Sequence, residues 1–310
     1  MKKSKSHSEN ISKQKFIKLL LKKVPNIELI KNKTFKDLTT FKIGGKIKYL
    51  IEIKEVNILL KILQLCREYK IKYFILGQGS NILASDRVCK ILVLKINLDY
   101  LKVRDNKIIC GAGVNLFKIN NVAIKNSLTG LEWSFGIPGS VGGAVKMNAG
   151  SFGGEMKNVV DCVYYTDGIK IYKKQNSSLN FKYRESFFSF NNFIILKVVL
   201  LLKKGKEILI KNKCYLNYEN RRKTQPYNLP SAGSVFKRPQ NEFAPVLIER
   251  CKLKGLRCGG AEISSKHCGF IVNFNKQAKF QQVFKLITKI KKTVLKKFDI
   301  ILQEEIIILR

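Results

Sequence analysis

Apolar residues in this chain recur with two periods. Between Glu55 and Tyr69 they fall at Val56, Leu59, Leu60, Leu63 and Cys66, three and four apart, which predicts a helix with one buried face. The same spacing runs through Gln277–Phe298, with Phe280, Val283, Phe284, Ile287, Ile290, Val294 and Leu295 on the inner side. Shorter helices are predicted over 14–24, 115–128, 207–223 and 245–251. Alternation or short apolar runs predict strands at 46–53, 72–76, 90–111, 159–165, 193–202, 261–263, 270–272 and 300–309. Residues 1–13 are polar and expected to fray. Strand 46–53, helix 55–69 and strand 72–76 form a strand–helix–strand unit that ends in a glycine loop.

The second half mixes helices with strands, so the fold class is α+β. A division near residue 205 gives an N-terminal segment over 1–34, a glycine-rich domain over 35–205 and a smaller domain over 206–310. Residues 224–240, with Pro226, Pro230 and Pro239, read as irregular.

Hydrophobic residues make up 45% of the 310, an ordinary globular share that excludes a disordered or fibrous chain. Charge is less ordinary: 59 Lys and Arg against 22 Asp and Glu give +37. A nucleic-acid partner, an anionic small substrate and compositional drift all account for such a value. The basic residues are mostly Lys, dispersed along the chain among Ile and Asn, which favours drift over a nucleic-acid patch. The eight cysteines sit singly in apolar runs without a C-x-x-C pair and read as free core thiols, with no metal site. Lys18, Lys22 and Lys23 interrupt the apolar run after the basic start, so it makes no signal peptide. No run approaches the ~20 apolar residues of a membrane span. The expectation is a cytoplasmic monomer with neither membrane nor nucleic acid among its partners.

Three stretches carry candidate chemistry. Gly77-Gln78-Gly79-Ser80-Asn81 follows a strand, and glycines there let backbone N–H groups converge on an anion. It is not the G-x-G-x-x-G dinucleotide fingerprint. Gly136-Ile137-Pro138-Gly139-Ser140-Val141-Gly142-Gly143, then Asn148-Ala149-Gly150, allows close approach to something flat. Pro230-Ser231-Ala232-Gly233-Ser234 offers a serine at a loop tip. With only His7 and His267 and no G-x-S-x-G elbow, Ser234 is a better hydrogen-bond or proton donor than nucleophile.

Taken in order, these blocks resemble the UDP-N-acetylenolpyruvoylglucosamine reductase family. The resemblance runs from about Thr39 to Ile306, through Thr39–Gly45, Leu76–Leu83, Gly136–Gly154, Tyr183-Arg184-Glu185-Ser186, Pro230–Lys237 and Gly259–Ser264 with Lys266-His267. The chain is similar to the family's shorter form. What the resemblance implies is an FAD-binding domain of the vanillyl-alcohol-oxidase (p-cresol methylhydroxylase) type plus a smaller α+β substrate-binding domain. It implies a cytoplasmic oxidoreductase of peptidoglycan precursor synthesis, using non-covalent FAD and NADPH. Hydride would pass from reduced FAD to the enolpyruvyl terminal carbon of a UDP-sugar.

Three residues fall on the family's catalytic positions. Arg184 would bind the enolpyruvyl carboxylate, Glu305 would hydrogen-bond it in protonated form, and Ser234 would give the proton to the α-carbon. Glu304 stands where the family has a proline, which puts two carboxylates side by side. Thr40, Gly77, Gln78, Gly79, Ser80, Asn81, Ile137, Pro138, Gly139, Ser140, Gly142, Gly143 and Asn148 carry over as FAD contacts. Tyr183, Gln225, Ser231, Lys237, Lys266 and His267 carry over as substrate contacts. Another FAD enzyme on this fold, such as a sugar or lactone oxidase, is the competing reading.

Overall fold

The computed structural model describes residues 11–240 and 242–310. The frayed segment expected over 1–13 falls mostly outside them, as does His7. Helix α1 (Lys13–Lys23) opens on Ser12, whose side chain accepts the Lys15 N–H, and buries Phe16, Ile17 and Leu20. A short helix α2 (Phe35–Leu38), missed by periodicity, is fixed by a reciprocal cap between Thr34 and Asp37. Strand β1 (Leu29–Ile30) precedes this helix, and β2 (Ile47–Ile53), β3 (Tyr73–Leu76), β4 (Ile82–Ala84) and β5 (Cys89–Ile96) follow it. Four of them form a sheet in the order β1-β2-β5-β3, with β2, β5 and β3 parallel. Helix α3 (Val56–Glu68) makes the crossover and buries Leu59, Ile62, Leu63, Leu65 and Cys66.

A second, antiparallel sheet is built from β6 (Leu101–Arg104), β7 (Lys107–Gly111), β8 (Val160–Thr166), β9 (Ile171–Gln175) and β10 (Ile194–Leu201), in the order β9-β8-β10-β7-β6. Helix α4 (Leu116–Lys125) buries Leu116, Ile119 and Ala123 in the same core. The glycine-rich stretch holds a helix that its composition hides: α5 (Val141–Lys146), capped by Ser140. Gly142 sits where a Cβ would lie 2.8 Å from the Ala112 Cβ, so small residues here let the helix lie on β7's exit. Helix α6 (Glu207–Thr224) follows and packs back onto residues 132–134, where Asn217 Nδ2 donates to the Glu132 carbonyl at 3.0 Å.

The last third forms a four-stranded sheet, β11 (Ser231–Ser234), β12 (Arg257–Cys258), β13 (Ala261–Ile263) and β14 (Phe270–Asn273), in the order β11-β14-β13-β12. Helices α7 (Ala244–Arg250) and α8 (Phe280–Phe298) cover it, α8 burying Val283, Leu286, Ile287, Ile290 and Val294. The strand expected over 300–309 is shorter: only β15 (Ile307–Leu309) is extended pairing, parallel to β4.

The two parts are stitched at several points. Phe41, Ile43 and Leu83 pack in the C-terminal core. Asn273, fully buried, donates to the Phe41 and Lys42 carbonyls, each at 3.2 Å, and accepts the Ala278 N–H at 2.9 Å. Losing that amide would strand the buried Phe41 carbonyl and Ala278 N–H at about 1–3 kcal/mol each. Asp86 caps α8 through the Phe280 N–H at 2.8 Å. Among the described residues, no helix is long and apolar enough to cross a membrane.

Candidate active site

Two glycine loops distant in sequence meet. The loop 77–81 lies between β3 and β4, and the loop 136–140 leads into α5. A Cβ on Gly77 would stand 2.8 Å from Ser140 Oγ, and one on Gly139 would stand 3.3 Å from Ser80 Oγ. Gly79 needs its glycine twice over: its φ is +65°, and a Cβ would fall 2.3 Å from the Leu38 carbonyl oxygen. The Gly79 carbonyl accepts the Thr40 N–H at 3.2 Å, which ties the loop to the 39–45 turn. Among the described residues, no backbone carbonyl takes the N–H groups of Gln78, Gly79, Ser80 or Asn81. A run of free donors on a strand-to-strand loop is an anion cradle. Gly79→Ala should therefore weaken binding of the anionic group held there by at least about tenfold, ~1.4 kcal/mol. Titration of the apoprotein with FAD, read by flavin fluorescence, measures it; parental affinity would place the cofactor elsewhere.

Beside this loop sits a charged pair. Arg184 Nε donates to Glu305 Oε1 at 2.8 Å, and Arg184 Nη2 donates to the Gly150 carbonyl at 3.0 Å. The two side chains are 22% and 10% exposed, so solvent screens them little. Arg184 holds a left-handed backbone, φ +56°, at the tip of a turn closed by Lys182 and Glu185. Asn81 Nδ2 donates to the Glu305 carbonyl at 3.0 Å, and the Ile307 N–H donates to the Asn81 carbonyl at 2.9 Å. The C-terminal strand thus brings Glu305 to the rim of the cradle. Burial pushes the Glu305 carboxyl above its usual range, while Arg184 and, more weakly, Lys237 pull it back. Glu304 faces the other way and is gripped by Lys291 Nζ at 2.8 and 2.9 Å. Alternation along an extended segment separates the two carboxylates that stand side by side in sequence.

Ser234 ends a strand and is not at a loop tip. Gly233, φ +77° with no atom within 4 Å of a built Cβ, turns the strand, and β11 regains its pairing at Ser234 opposite Phe270. The next residue, Val235, accepts the Glu305 N–H at 2.8 Å. Ser234 and Glu305 therefore sit on neighbouring strands of chain. The Thr40 hydroxyl donates to the Ser231 carbonyl at 2.8 Å, joining the cradle turn to the same strand.

The other expected site residues divide. Lys237 Nζ lies 2.9 Å from Glu185 Oε1. The Tyr183 ring lies 5.1 Å from the Arg184 guanidinium, and its hydroxyl accepts the Arg238 N–H at 3.3 Å. Gln225 Oε1 meets Arg221 Nη1 at 3.5 Å. Lys266 Nζ donates to the Arg222 carbonyl. His267 Nδ1 accepts the Gly269 N–H at 3.1 Å, and burial lowers its pKa, so it offers a hydrogen bond more than a charge. Asn148 is committed elsewhere: buried, it donates to Glu155 at 2.9 Å and the Lys182 carbonyl at 3.0 Å, and accepts the Lys157 N–H at 3.0 Å. Its side chain shapes the loop and has nothing left for a cofactor.

Arg221 was not singled out by the sequence. It is 5% exposed, forms no ion pair among the described residues, and burial lowers its pKa to about 10. Its Nη2 donates to Ser151 Oγ at 2.9 Å and the Trp133 carbonyl at 3.2 Å, while Arg184 holds the adjacent Gly150. Two guanidinium groups thus fix residues 150 and 151. The helical phase of Ile210, Cys214 and Asn217, which continues to Arg221, was the available signal.

Comparison with known proteins gives this geometry a family. Residues 225–309 match the model of the UDP-N-acetylenolpyruvoylglucosamine reductase C-terminal domain, and residues 47–168 match an FAD binding domain. A UDP-N-acetylenolpyruvoylglucosamine reductase of Caldicellulosiruptor saccharolyticus is 41% identical over 285 residues, covering 91% of this chain and 92% of that one. The chain belongs to the UDP-N-acetylenolpyruvoylglucosamine reductase family. Another reductase of that name, from Pseudothermotoga lettingae, is 42% identical over 86% of this chain and 93% of its own. The reductase crystal structure from Thermus caldophilus superposes with a TM-score of 0.77 at 32% identity, over 92% of this chain and 99% of that one. The family's FAD-binding domain and α+β C-terminal domain are the two parts seen here, and the chain is an FAD-type oxidoreductase. The free N–H run at 78–81 and the glycine contacts at 77 and 139 suit the diphosphate of such a cofactor.

Proposed function

We propose that this chain reduces UDP-N-acetylenolpyruvoylglucosamine to UDP-N-acetylmuramate with NADPH as electron donor, acting in the cytoplasm as a monomer. The observation that carries this reading is the Arg184–Glu305 pair, assembled across 121 residues at the rim of the glycine cradle. FAD, when bound, supplies hydride transfer between the nicotinamide and the enolpyruvyl group. Residues 77–81 and 137–143 hold it, with Thr40 fixing the loop. Arg184 takes the enolpyruvyl carboxylate and steadies the negative charge that spreads into it. Glu305, its carboxyl pushed above the usual range by burial, hydrogen-bonds the same carboxylate when protonated. Ser234 delivers the proton to the α-carbon. Lys237, Lys266, Gln225, Ser231, Tyr183 and His267 serve the sugar diphosphate. We set the junction of the two domains at about 225, because α6 packs on residues 132–134 and the C-terminal family match starts there.

The purified protein should be yellow with FAD, and acid should release all the flavin through a filter. The glycine blocks 77–81 and 136–154 hold no His or Cys for a covalent link. Under anaerobic conditions NADPH should bleach it, and the UDP-sugar enolpyruvate should restore the colour. Bleaching by an aldose or lactone in place of NADPH, with oxygen restoring the colour, would assign the competing oxidase activity.

Glu305 gives a pH test. Its carboxyl is raised by burial, so the protonated form persists above the ordinary carboxylate range and is lost as pH rises through the raised value. Turnover should fall along that limb. Glu305→Gln cannot ionise, and its profile should be flat there with FAD retained. A limb that survives in Glu305→Gln belongs to another group.

A further inference from the structure

Helix α6 is polar on part of its inner side and apolar on its outer side. Inward it presents Ile210, Cys214, Asn217 and Arg221. Outward, Ile208, Leu209, Tyr215 and Leu216 are 60%, 61%, 51% and 61% exposed. Residues seven apart lie two turns along one face, so these four form two short rows on either side of Asn212. Phe117 of α4, 55% exposed, widens the patch: its ring lies 5.5 Å from that of Phe135, which in turn lies 5.9 Å from Tyr215. Single exposed apolar residues are normal, but five large ones in contiguity mark a contact face.

The rim is basic. Lys203, Lys204, Lys206, Lys211 and Lys213 are exposed, and Arg222 and Lys223 follow along the helix. Only Glu207 and Glu219 oppose them between 203 and 223. Among the described residues, the ion pairs use none of those five lysines.

We propose that this face seats the protein on an anionic lipid bilayer, with the apolar rows at the headgroup–acyl boundary and the lysines among the headgroups. Charge decides between occupants. A second copy would bring another +37 against the first, whereas an anionic surface attracts it. A polynucleotide would satisfy the lysines and gain nothing from five apolar side chains. The apolar residues stand on the crest of a helix, and lipid conforms to a crest without a matching groove. The apolar rows lie on the outer side of the helix, opposite the buried Arg221, so seating this face leaves the reductase site clear.

The test uses the full-length, FAD-loaded protein and sedimenting vesicles of phosphatidylcholine alone or with an equal part of phosphatidylglycerol. Partition onto the mixed vesicles should be at least about tenfold stronger, and should fall in 0.5 M salt, where the Debye length is only about 4 Å. The double variant Leu209→Ser/Leu216→Ser should lose at least about tenfold of that partition. Its FAD content and turnover should stay parental. Should the double variant fail to fold, Ile208→Ser and Tyr215→Ser, made singly, should each weaken partition. No sedimentation with anionic vesicles overturns the proposal. Equal partition by parent and variants reduces it to bulk charge and also overturns it. A parental dimer in sedimentation velocity that the variants dissolve assigns the face to a second copy. A polynucleotide bound by the parent and lost by the variants assigns it to nucleic acid.

Discussion

Ser234→Ala should lower turnover by roughly 10²–10⁴-fold, the usual contribution of a general acid, while FAD binding, flavin reduction by NADPH and substrate affinity stay near parental values. The structure makes this a clean substitution. Ser234 pairs with Phe270 through its backbone, and the Val235 carbonyl that follows it holds the Glu305 N–H at 2.8 Å. Alanine keeps both, so strand β11 and the approach of Glu305 survive. What disappears is the hydroxyl proton. A serine is a weak acid and needs a cation nearby, yet Lys237 already sits 2.9 Å from Glu185, and Arg222 lies 3.4 Å from Glu219 on an exposed face. Rapid mixing in deuterated water reads the outcome. Near-parental turnover that still places deuterium at the α-carbon with a single stereochemistry would remove Ser234 from the acid role. A loss under about tenfold would make it a packing residue of the bulge.

Arg184→Lys should leave flavin reduction by NADPH within about twofold and slow reoxidation by the enolpyruvyl substrate by roughly 10²–10³-fold, the cost typical of losing one aimed donor in a preorganised site. Arg184 spends Nε on Glu305 and Nη2 on the Gly150 carbonyl, which fixes the plane of the guanidinium. Its backbone, φ +56°, and the Tyr183 ring 5.1 Å away hold that plane in place. Lysine keeps the charge as a point and cannot hold two acceptors in a fork while meeting a third. Stopped-flow absorbance of each half-reaction separates the effects. Equal slowing of both halves would show that Arg184 serves the loop, and not the enolpyruvyl carboxylate.

Local patterns read well wherever one face of an element is buried and the other is wet. The periodicity of α3 and α8 was visible because Leu59, Ile62 and Leu63, or Ile287, Ile290 and Val294, point one way against a continuous core. Helix α6 carries Asn217 and Arg221 inward and Leu209 and Leu216 outward, so its period predicted a helix without telling its buried side. Helix α5 escaped because Gly142 and Gly143 are poor helix formers; a 2.8 Å approach to Ala112 requires the first of them. Strand β11 escaped because Pro230 and Gly233 look like turn residues, while its pairing partner lies almost forty residues on.

By itself the sequence determined the helical and strand periods, the two glycine loops and the family blocks, and it named Arg184, Ser234 and Glu305 as candidates. Those are properties of a residue and its near neighbours, and they survive without a third dimension. Tertiary structure decided what meets what. It set Glu305 on Arg184 and Glu304 on Lys291, brought Gly77 under Ser140, and tied β15 back to β4 across more than two hundred residues. It also consumed the side chain of Asn148, expected to contact FAD, within its own loop, and buried Arg221 without a carboxylate. These outcomes depend on long-range pairing, desolvation and the alternation of side chains along paired strands. Such terms acquire a sign and a size only when distant segments pack.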